Sequence, residues 1–450
     1  ELKRLQNGGC VQHTVRPPCR VDGRFPGAQF RYLAANVRSP AGETLFPATA
    51  VRSFGEGARR VEVGFIGLTL RETPTLVVPS AVEGLSFVDE AETINALVPK
   101  LRAAGADAVV VLIHQGVTTK VGYNDKSCAG VSGDLLPILA KLDPGVDLVV
   151  SGHTHAAYVC DYAAIDPARP LLLTSAGRSG TLVSDITLAI DPVAGRVVSR
   201  RADNVIVQGV GYQGSSGPVA VSAEFPVFPA DPQVAALVAR YVAAAEPIAR
   251  RVVGRLSAPA SRDRNESGES PLGSLVADAQ MKATGADIAF MNSFGLRADL
   301  VPAADGTVTY GQLYAVQPFG NVLQVKGMTG AQIRAVLEQQ FASGQNTAER
   351  PNMLQVSRGF AFSYDLRRPA GQRIVSVTLD GRPLEDTRLY RVAVSNFLAT
   401  GGDNFTAFKL GSDLGGNTED IDALEAWFAG GASVAVPPLG RITRIDAPAD

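Results

Sequence analysis

Almost wholly apolar segments alternate with amphipathic ones through the first half of the chain. Residues 108–114 and 146–150 have the composition of strands that are buried on both faces of a parallel sheet. Residues 91–104 instead place apolar side chains at helical spacing, namely at Ile94, Leu97, Val98 and Leu101. The same reasoning predicts strands at 63–69 and 171–175 and a short helix at 133–142. Alternating strands and helices predict an α/β fold.

The amino-acid composition changes between residues 203 and 230. This segment is rich in Gly, Ser and Pro, which predicts a connection between domains. A helix predicted at 231–251 follows, and its place between two domains favours a linker helix over plain core packing. Thr329 and Gln332 form a capping box that predicts another helix start. The remaining pattern predicts a second α/β unit, with a helix at 272–284 and strands at 287–292, 321–328, 375–379 and 391–395.

Composition narrows the possible functions. The chain is 46% hydrophobic and 19% charged, so a large core is expected and disorder is not. The net charge is −2 without any basic block, which makes a nucleic-acid polymer a poor candidate partner. No apolar run approaches the roughly 18 residues that span a membrane.

The four cysteines allow three disulfide pairings. Proximity along the chain favours Cys10–Cys19 and Cys128–Cys160, and the alternative is four free buried thiols. Disulfides indicate an oxidising compartment, so we expect a secreted, periplasmic or cell-surface protein.

The segment VVSGHTH, residues 149–155, places His153 and His155 just past an apolar strand. His114 ends the apolar strand one strand–helix unit earlier. If the two strands are parallel neighbours, the three imidazoles gather beyond one sheet edge, where sites of open α/β sheets form. Imidazole is a common metal ligand, and this clustering favours metal binding over isolated loop histidines. His13, the fourth histidine, is expected to be structural or solvated.

Several motifs carry a family resemblance that covers nearly the whole chain. ADAVVVLIHQG and VVSGHTH resemble the calcineurin-like metallophosphatases. GESPLGSLVADAQMKATGADIAFMN, TYGQLYAVQPFGN and NFLATGGDNF resemble the C-terminal domain of the 5′-nucleotidase family. The order of the two halves matches the bifunctional metallophosphatase/5′-nucleotidases.

The resemblance implies an incomplete four-layer αββα metallophosphatase domain at 1–205, a linker and linker helix at 206–252, and an α/β nucleotide-binding domain at 253–450. It also implies a phosphomonoesterase with two divalent metal ions, such as Zn or Mn. In position, His114 and His153 resemble ligands of one metal and His155 a ligand of the other.

The family's remaining ligands come from Asp-x-His, Gly-Asp and Asn-His-Glu motifs, and none occurs at a suitable position. The opening ELKRLQNGGC resembles the segment that follows Asn-His-Glu. We therefore expect the catalytic histidine to lie upstream of Glu1 and the chain as given to lack a working dinuclear centre. The missing initial Met favours a fragment over a genuine pseudoenzyme.

The resemblance also assigns a nucleoside pocket to the second half. Phe319 and Phe397 would sandwich the base. Without the resemblance, the sequence favours a role for both rings in core packing. Asn292 would contact the base, Arg297 the substrate and Asp403 the ribose hydroxyls. A further substrate arginine is expected before GESPLG, where Arg262 is preferred to Arg264.

Phe294 departs from the family pattern, which has Gly at this position. Glycine in such loops permits positive φ or close approach of a ligand, so Phe294 leaves base selectivity open. The expected function is removal of phosphate from extracellular nucleotides. The alternatives are a cyclic-nucleotide phosphodiesterase, a nucleotide-sugar hydrolase, and a non-enzymatic nucleoside-binding surface protein.

Overall fold

The computed structural model describes residues 1–12, 17–77, 79–214 and 217–446. His13 and the expectation about it lie outside this described part. The chain divides into two compact units, the first of which comprises Glu1–Thr73, Glu83–Gln213 and Pro218–Leu237. The second unit comprises Pro74–Val82, Gly214–Gly217 and Val238–Asp450.

In chain order, the first half contains ten strands and four helices within the described residues. The strands are β1 Val37–Arg38, β2 Thr49–Phe54, β3 Val61–Leu68, β4 Ser86–Phe87, β5 Ala108–Ile113, β6 Leu148–Val150, β7 Ala157–Asp161, β8 Leu172–Ala176, β9 Leu182–Asp191 and β10 Arg196–Ile206. The helices are α1 Leu2–Asn7, α2 Thr73–Leu76, α3 Glu90–Ala103 and α4 Leu136–Leu139.

A six-stranded sheet of order β2-β3-β5-β6-β8-β7 forms the centre of the first unit. Strands β3, β5, β6 and β8 run parallel, while β2 and β7 are antiparallel edge strands. Side chains of α3 and α4 pack on one face of this sheet. The β9–β10 hairpin packs on the other face through Val197 and Ala202. Helix, sheet and sheet thus form successive layers, which confirms the predicted α/β class.

An ion-pair cluster around the buried Asp147 holds β6 between these layers. Asp147, directly before β6, accepts from Arg102 of α3 at 2.8 Å and from Arg200 of β10 at 2.5 Å. The backbone N–H of Val109 donates to the same carboxylate at 2.9 Å. Because Asp147 contacts both neighbouring layers, the strand that leads to the histidine turn has a defined position.

Two features of the first unit differ from the sequence predictions. The helix predicted at 133–142 is only Leu136–Leu139. Gly133 has φ +133°, and Pro137 lies in the first turn, so the helix cannot extend further towards its N-terminus. The β9–β10 hairpin is not among the predicted elements, although Ile186, Leu188 and Ile190 recur at every second position of β9 and pack on the core.

The region between the halves contains β11 Tyr212–Gly214, β12 Gly217–Val219 and α5 Pro232–Ala249. The helix predicted at 231–251 therefore exists, and the boundary between the two compact units falls within it. In the part of the chain that the structure describes, no helix has both the length and the apolar character to cross a membrane.

The second half adds strands and helices that continue this numbering. The strands are β13 Val252–Leu256, β14 Ile288–Asn292, β15 Thr307–Thr309, β16 Leu323–Thr329, β17 Leu354–Val356, β18 Phe360–Tyr364, β19 Ile374–Leu379, β20 Arg382–Pro383, β21 Leu389–Ser395, β22 Ser412–Asp413, β23 Ser433–Val434 and β24 Ile442–Arg444. The helices are α6 Pro271–Thr284, α7 Tyr310–Val316, α8 Gly330–Glu338, α9 Asn396–Ala399 and α10 Asp420–Phe428.

The main sheet of the second unit has the order β17-β14-β21-β16-β22. Helix α6 is buried along nine successive residues, so this unit has a deep core. The predicted capping box is present, because the Thr329 hydroxyl and the Gln332 side chain each accept from the other's backbone. Strand β14 ends at Asn292, and its neighbour β21 ends at Ser395. The loops that follow these two strands carry Arg297, Phe397 and Asp403. Phe319 instead lies in the loop between α7 and β16, and Arg262 lies before α6.

Candidate functional site

The predicted histidines follow the carboxyl ends of two neighbouring parallel strands. Val111 of β5 pairs with Val149 of β6, so the residues after both strands emerge at the same edge. His114 follows β5 and His153 follows β6, and their ring centroids lie 5.2 Å apart. The structure therefore brings together the two imidazoles that were predicted to share a metal.

The turn after β6 has a constrained backbone. His153 and His155 adopt φ values of +67° and +60°, in the left-handed region that few residues other than Gly, Asn and Asp enter. Between them, the Thr154 hydroxyl donates to the carbonyl of Val117 at 2.7 Å. A Cβ at Gly116 would collide with the Gly152 carbonyl, so only glycine permits this close approach of the two loops.

Burial and neighbouring charges lower the pKa of two of the imidazoles, which favours their neutral form. The pKa of His114 is lowered mainly by partial burial and to a smaller extent by the charge of His155. The pKa of His153 is lowered mainly by burial and further by the charges of His114 and His155. The Asp134 carboxylate raises this pKa and partly offsets the shift. Asp134 is thus an acidic neighbour that the sequence reasoning missed, because it lies in an irregular loop without a motif.

A neutral imidazole is the form that binds metal ions, so the histidine group fits imidazole ligands of a divalent ion. Across residues 1–12, 17–77, 79–214 and 217–446, however, no group of three or more His, Cys, Asp or Glu side chains is placed to hold a metal ion. The described residues fit part of a ligand set and do not fit a complete two-metal centre.

A second cluster of predicted residues lies in the second unit, around Asp403. The Asn292 amide nitrogen donates to Oδ2 of Asp403 at 2.7 Å. Both side chains are buried, with 6% and 7% exposure. The Asn346 amide donates to the backbone carbonyl of Asp403 at 2.9 Å, and Asp403 has φ +53°. Burial raises the pKa of Asp403 to about 6, and the Asn292 hydrogen bond lowers it only in part.

Arg297 contacts two further residues of this region, Phe319 and Arg262. Its guanidinium carbon lies 5.8 Å from the ring centroid of Phe319, within cation–π range. Its backbone carbonyl accepts from Nη1 of Arg262 at 3.0 Å. Arg262 also approaches Asp299 at 3.7 Å. Arg264, the alternative to Arg262, instead has its charge near the hydroxyl of Tyr364.

The two candidate stacking rings differ in their environments. Phe319 is 55% exposed, whereas Phe397 packs partly against the core, where a Cβ at Gly402 would strike its ring. Their loops are joined, because Asn396 N–H donates to the Val322 carbonyl at 2.7 Å and Val322 N–H donates to the Asn396 side chain at 3.3 Å. Phe294 is 58% exposed beside this cluster, and its carbonyl accepts from Arg297 at 3.4 Å.

Two disulfides, Cys10–Cys19 and Cys128–Cys160, are present, so the predicted pairing is confirmed. The second bridge closes a segment that includes β6, His153 and His155. It therefore constrains the histidine turn in addition to the sheet hydrogen bonds.

Comparisons with known proteins point to one family. Residues 252–410 match the sequence model described as 5′-nucleotidase, C-terminal domain. A cell wall protein of Listeria monocytogenes is 32% identical over 367 residues, covering 78% of this chain and 44% of that protein. A 5′-nucleotidase of Diplobatis ommata is 27% identical over 440 residues, covering 89% of this chain and 68% of that enzyme.

The fold agrees with these relatives. A 5′-nucleotidase precursor from Thermus thermophilus superimposes with a TM-score of 0.71 at 27% identity, over 94% of this chain and 80% of that structure. The resemblance to the metallophosphatase/5′-nucleotidase family and the predicted two-domain α/β fold are thereby confirmed. The chain spans less than half the length of the Listeria protein.

Proposed function

We propose, on the premise of this likeness to 5′-nucleotidases in both halves, that the protein removes phosphate from extracellular nucleotides. The proposed organisation is a metallophosphatase domain at 1–205, a linker with its helix at 206–252, and a nucleotide-binding domain at 253–450. The substrate class is a nucleotide, and nucleoside monophosphates are the expected members.

The observation that carries this proposal is the Asn292–Asp403 pair beside the Arg297–Phe319 contact. Among the described residues, Asn292 is the one side-chain partner of the buried Asp403 carboxylate, and a carboxylate can accept hydrogen bonds from the two hydroxyls of a ribose. An exposed aromatic ring such as that of Phe319 can stack on a base. The guanidinium of Arg297 adds a forked donor that suits phosphate. One small region thus offers partners for base, sugar and phosphate.

The proposed activity requires two divalent metal ions, such as zinc or manganese, and the described residues supply only part of their ligand set. His114, His153 and His155 are the side chains in the described residues that would supply imidazole ligands. When bound, such ions supply the positive charge that polarises a phosphate ester. The chain's own contribution is to hold the His114 and His153 rings close together, to lower the pKa of both imidazoles, and to place His153 on a constrained turn.

An extracytoplasmic location is also proposed. Two disulfides persist in oxidising compartments, and one relative is described as a cell wall protein.

The direct test measures phosphate release from AMP by the purified chain supplied with zinc or manganese. The control variant is His153→Asn, because asparagine tolerates the left-handed backbone of residue 153 while removing the imidazole. Adenosine binding is measured in parallel by calorimetry, with Asp403→Asn as its control.

Phosphate release that depends on His153 supports the enzyme. Adenosine binding without release agrees with the incomplete ligand set of the described residues and rejects hydrolysis by this chain, while it leaves the nucleoside site in place. Absence of both rejects the proposal, because neither half then performs the function that its residues suggest.

A further inference from the structure

The loop that carries Phe319 connects α7 to β16 and is held by contacts on two sides. The Phe319 ring itself is 55% exposed, so core packing does not set its position. Gly320, the next residue, has φ +65°, a conformation that costs other residues energy. The position of the ring therefore depends on its contact with Arg297 and on the anchors of the backbone of residues 317–322.

One anchor is Asn396, which exchanges two hydrogen bonds with Val322. The other anchor is Asp420, the first residue of α10. Nδ2 of Asn321 donates to Oδ2 of Asp420 at 3.1 Å, and the backbone N–H of Asp420 donates to the Asn321 carbonyl at 2.8 Å. Asn321 lies two residues after Phe319, so this reciprocal pair acts close to the ring.

The burial of the Asp420 carboxylate lowers the stability of the folded chain. It is 2% exposed, and within the described part of the chain its Oδ1 has no hydrogen-bond partner. Burial raises the pKa of Asp420 to about 6, its bonds to Asn321 and to the backbone lower it in part, and the Glu419 charge raises it further. A buried carboxylate facing an amide and a like charge destabilises a protein, although the N-terminus of α10 offsets part of the cost. Packing alone would favour an apolar side chain here.

We propose that Asp420 is a positioning residue for base recognition, which holds Asn321 and thereby fixes the Phe319 ring against the nucleobase. The inference rests on the proposed nucleoside site. Asp420 acts through the loop and does not contact the substrate. Replacement of Asp420 should therefore weaken the contact between Phe319 and the base and leave the contact between Asp403 and the ribose unchanged.

The test compares Asp420→Ala, Asp420→Asn and Asp422→Ala in the full chain, using adenosine as the probe. Asparagine keeps an acceptor for Asn321, so Asp420→Asn should bind within about twofold of the parent. Asp420→Ala should weaken adenosine binding about tenfold, which is the size of effect that a lost base–aromatic stack has. Asp422 is an exposed acid on the same helix turn and is the matched control, with no change expected.

A second readout separates positioning from general loss of structure. Stacking reduces the ultraviolet absorbance of adenine, so the difference spectrum at saturating adenosine reports the ring contact itself. Asp420→Ala should show a smaller absorbance decrease at saturation, and Asp420→Asn should restore it.

Unchanged affinity and unchanged hypochromism in Asp420→Ala would overturn the inference. Weaker binding with full hypochromism at saturation would also overturn it, because the role of Asp420 would then be structural only. If the parent chain binds no adenosine, the proposed nucleoside site itself fails, and the inference fails with it.

Discussion

Nδ2 of Asn292 donates a 2.7 Å hydrogen bond to Oδ2 of Asp403, although 111 residues separate the two. Asn292 is the last residue of β14, and Asp403 lies in the turn after α9. The bond fixes one carboxylate oxygen, and burial removes water from the group. The result is an oriented acid with a raised pKa at the centre of the proposed nucleoside site.

The raised pKa of Asp403 predicts a pH-dependent stability of the second unit. With a folded pKa of about 6 against the ordinary 3.8, the carboxyl favours folding when protonated. Its stabilising contribution is present below about pH 4 and is lost as the pH rises through about 6. Asp403→Asn should therefore raise the free energy of unfolding at neutral pH by on the order of 2 kcal/mol, with a gain that shrinks towards zero near pH 4.

Urea unfolding followed by the fluorescence of Trp427, the single tryptophan of the chain, measures this dependence. The pKa of Asp420 is also raised, so this residue contributes to the pH dependence of the parent and of the variant alike. The two proteins are therefore compared with each other at each pH. An equal difference at acid and neutral pH would contradict the prediction.

The two candidate stacking residues should separate in a paired substitution experiment. Phe319→Ala should weaken adenosine binding about tenfold and leave unfolding unchanged, because the ring is largely exposed. Phe397→Ala should weaken binding and also lower stability by about 2–4 kcal/mol, because this ring packs against the core. Leu389→Ala, at a strand position with 59% exposure, is the control for both measurements. Equal stability losses in the two phenylalanine variants would show that their environments are not distinct.

The histidine group should bind zinc through imidazoles at the carboxyl ends of β5 and β6. His114→Asn and His153→Asn should each weaken zinc binding at least about tenfold, since even indirect partners of a metal contribute that much. A chromogenic chelator in competition reports the affinity without any need for turnover. His13→Asn is the matched control, because the sequence predicts no ligand role for it. A similar loss in all three variants would indicate non-specific imidazole binding.

The Cys128–Cys160 disulfide should stabilise the first unit more than Cys10–Cys19 does. The sequence separations are 32 and 9 residues. Loop-closure entropy then gives about 4 kcal/mol for the longer loop and about 2.5 kcal/mol for the shorter. Replacing each pair by alanines and measuring urea unfolding by far-ultraviolet circular dichroism tests the order. A larger loss for the shorter loop would mean that strain or unfolded-state structure dominates.

The sequence predicted the parts of the site that depend on local pattern. Apolar runs before His114 and His153 identified buried strands, and the chain order of these strands made them parallel neighbours. Family motifs located Asn292, Phe319 and Asp403. The β9–β10 hairpin is not predicted, because only β9 alternates apolar and polar residues and β10 does not. The length of α4 was overestimated, because the positive φ of Gly133 is not readable from composition.

The sequence by itself determined the α/β class, the family resemblance, the cysteine pairing favoured by proximity and the residues to examine. Periodicity and motifs are properties of residues that are close together in the chain, so they can be recognised from the sequence alone. Only the tertiary structure decided that Asn292 meets Asp403, that Asp134 lies near His153, and that Asp420 anchors the Phe319 loop. Those facts depend on burial and on contacts between segments far apart in the chain, and both arise only when the sheets and helices pack together.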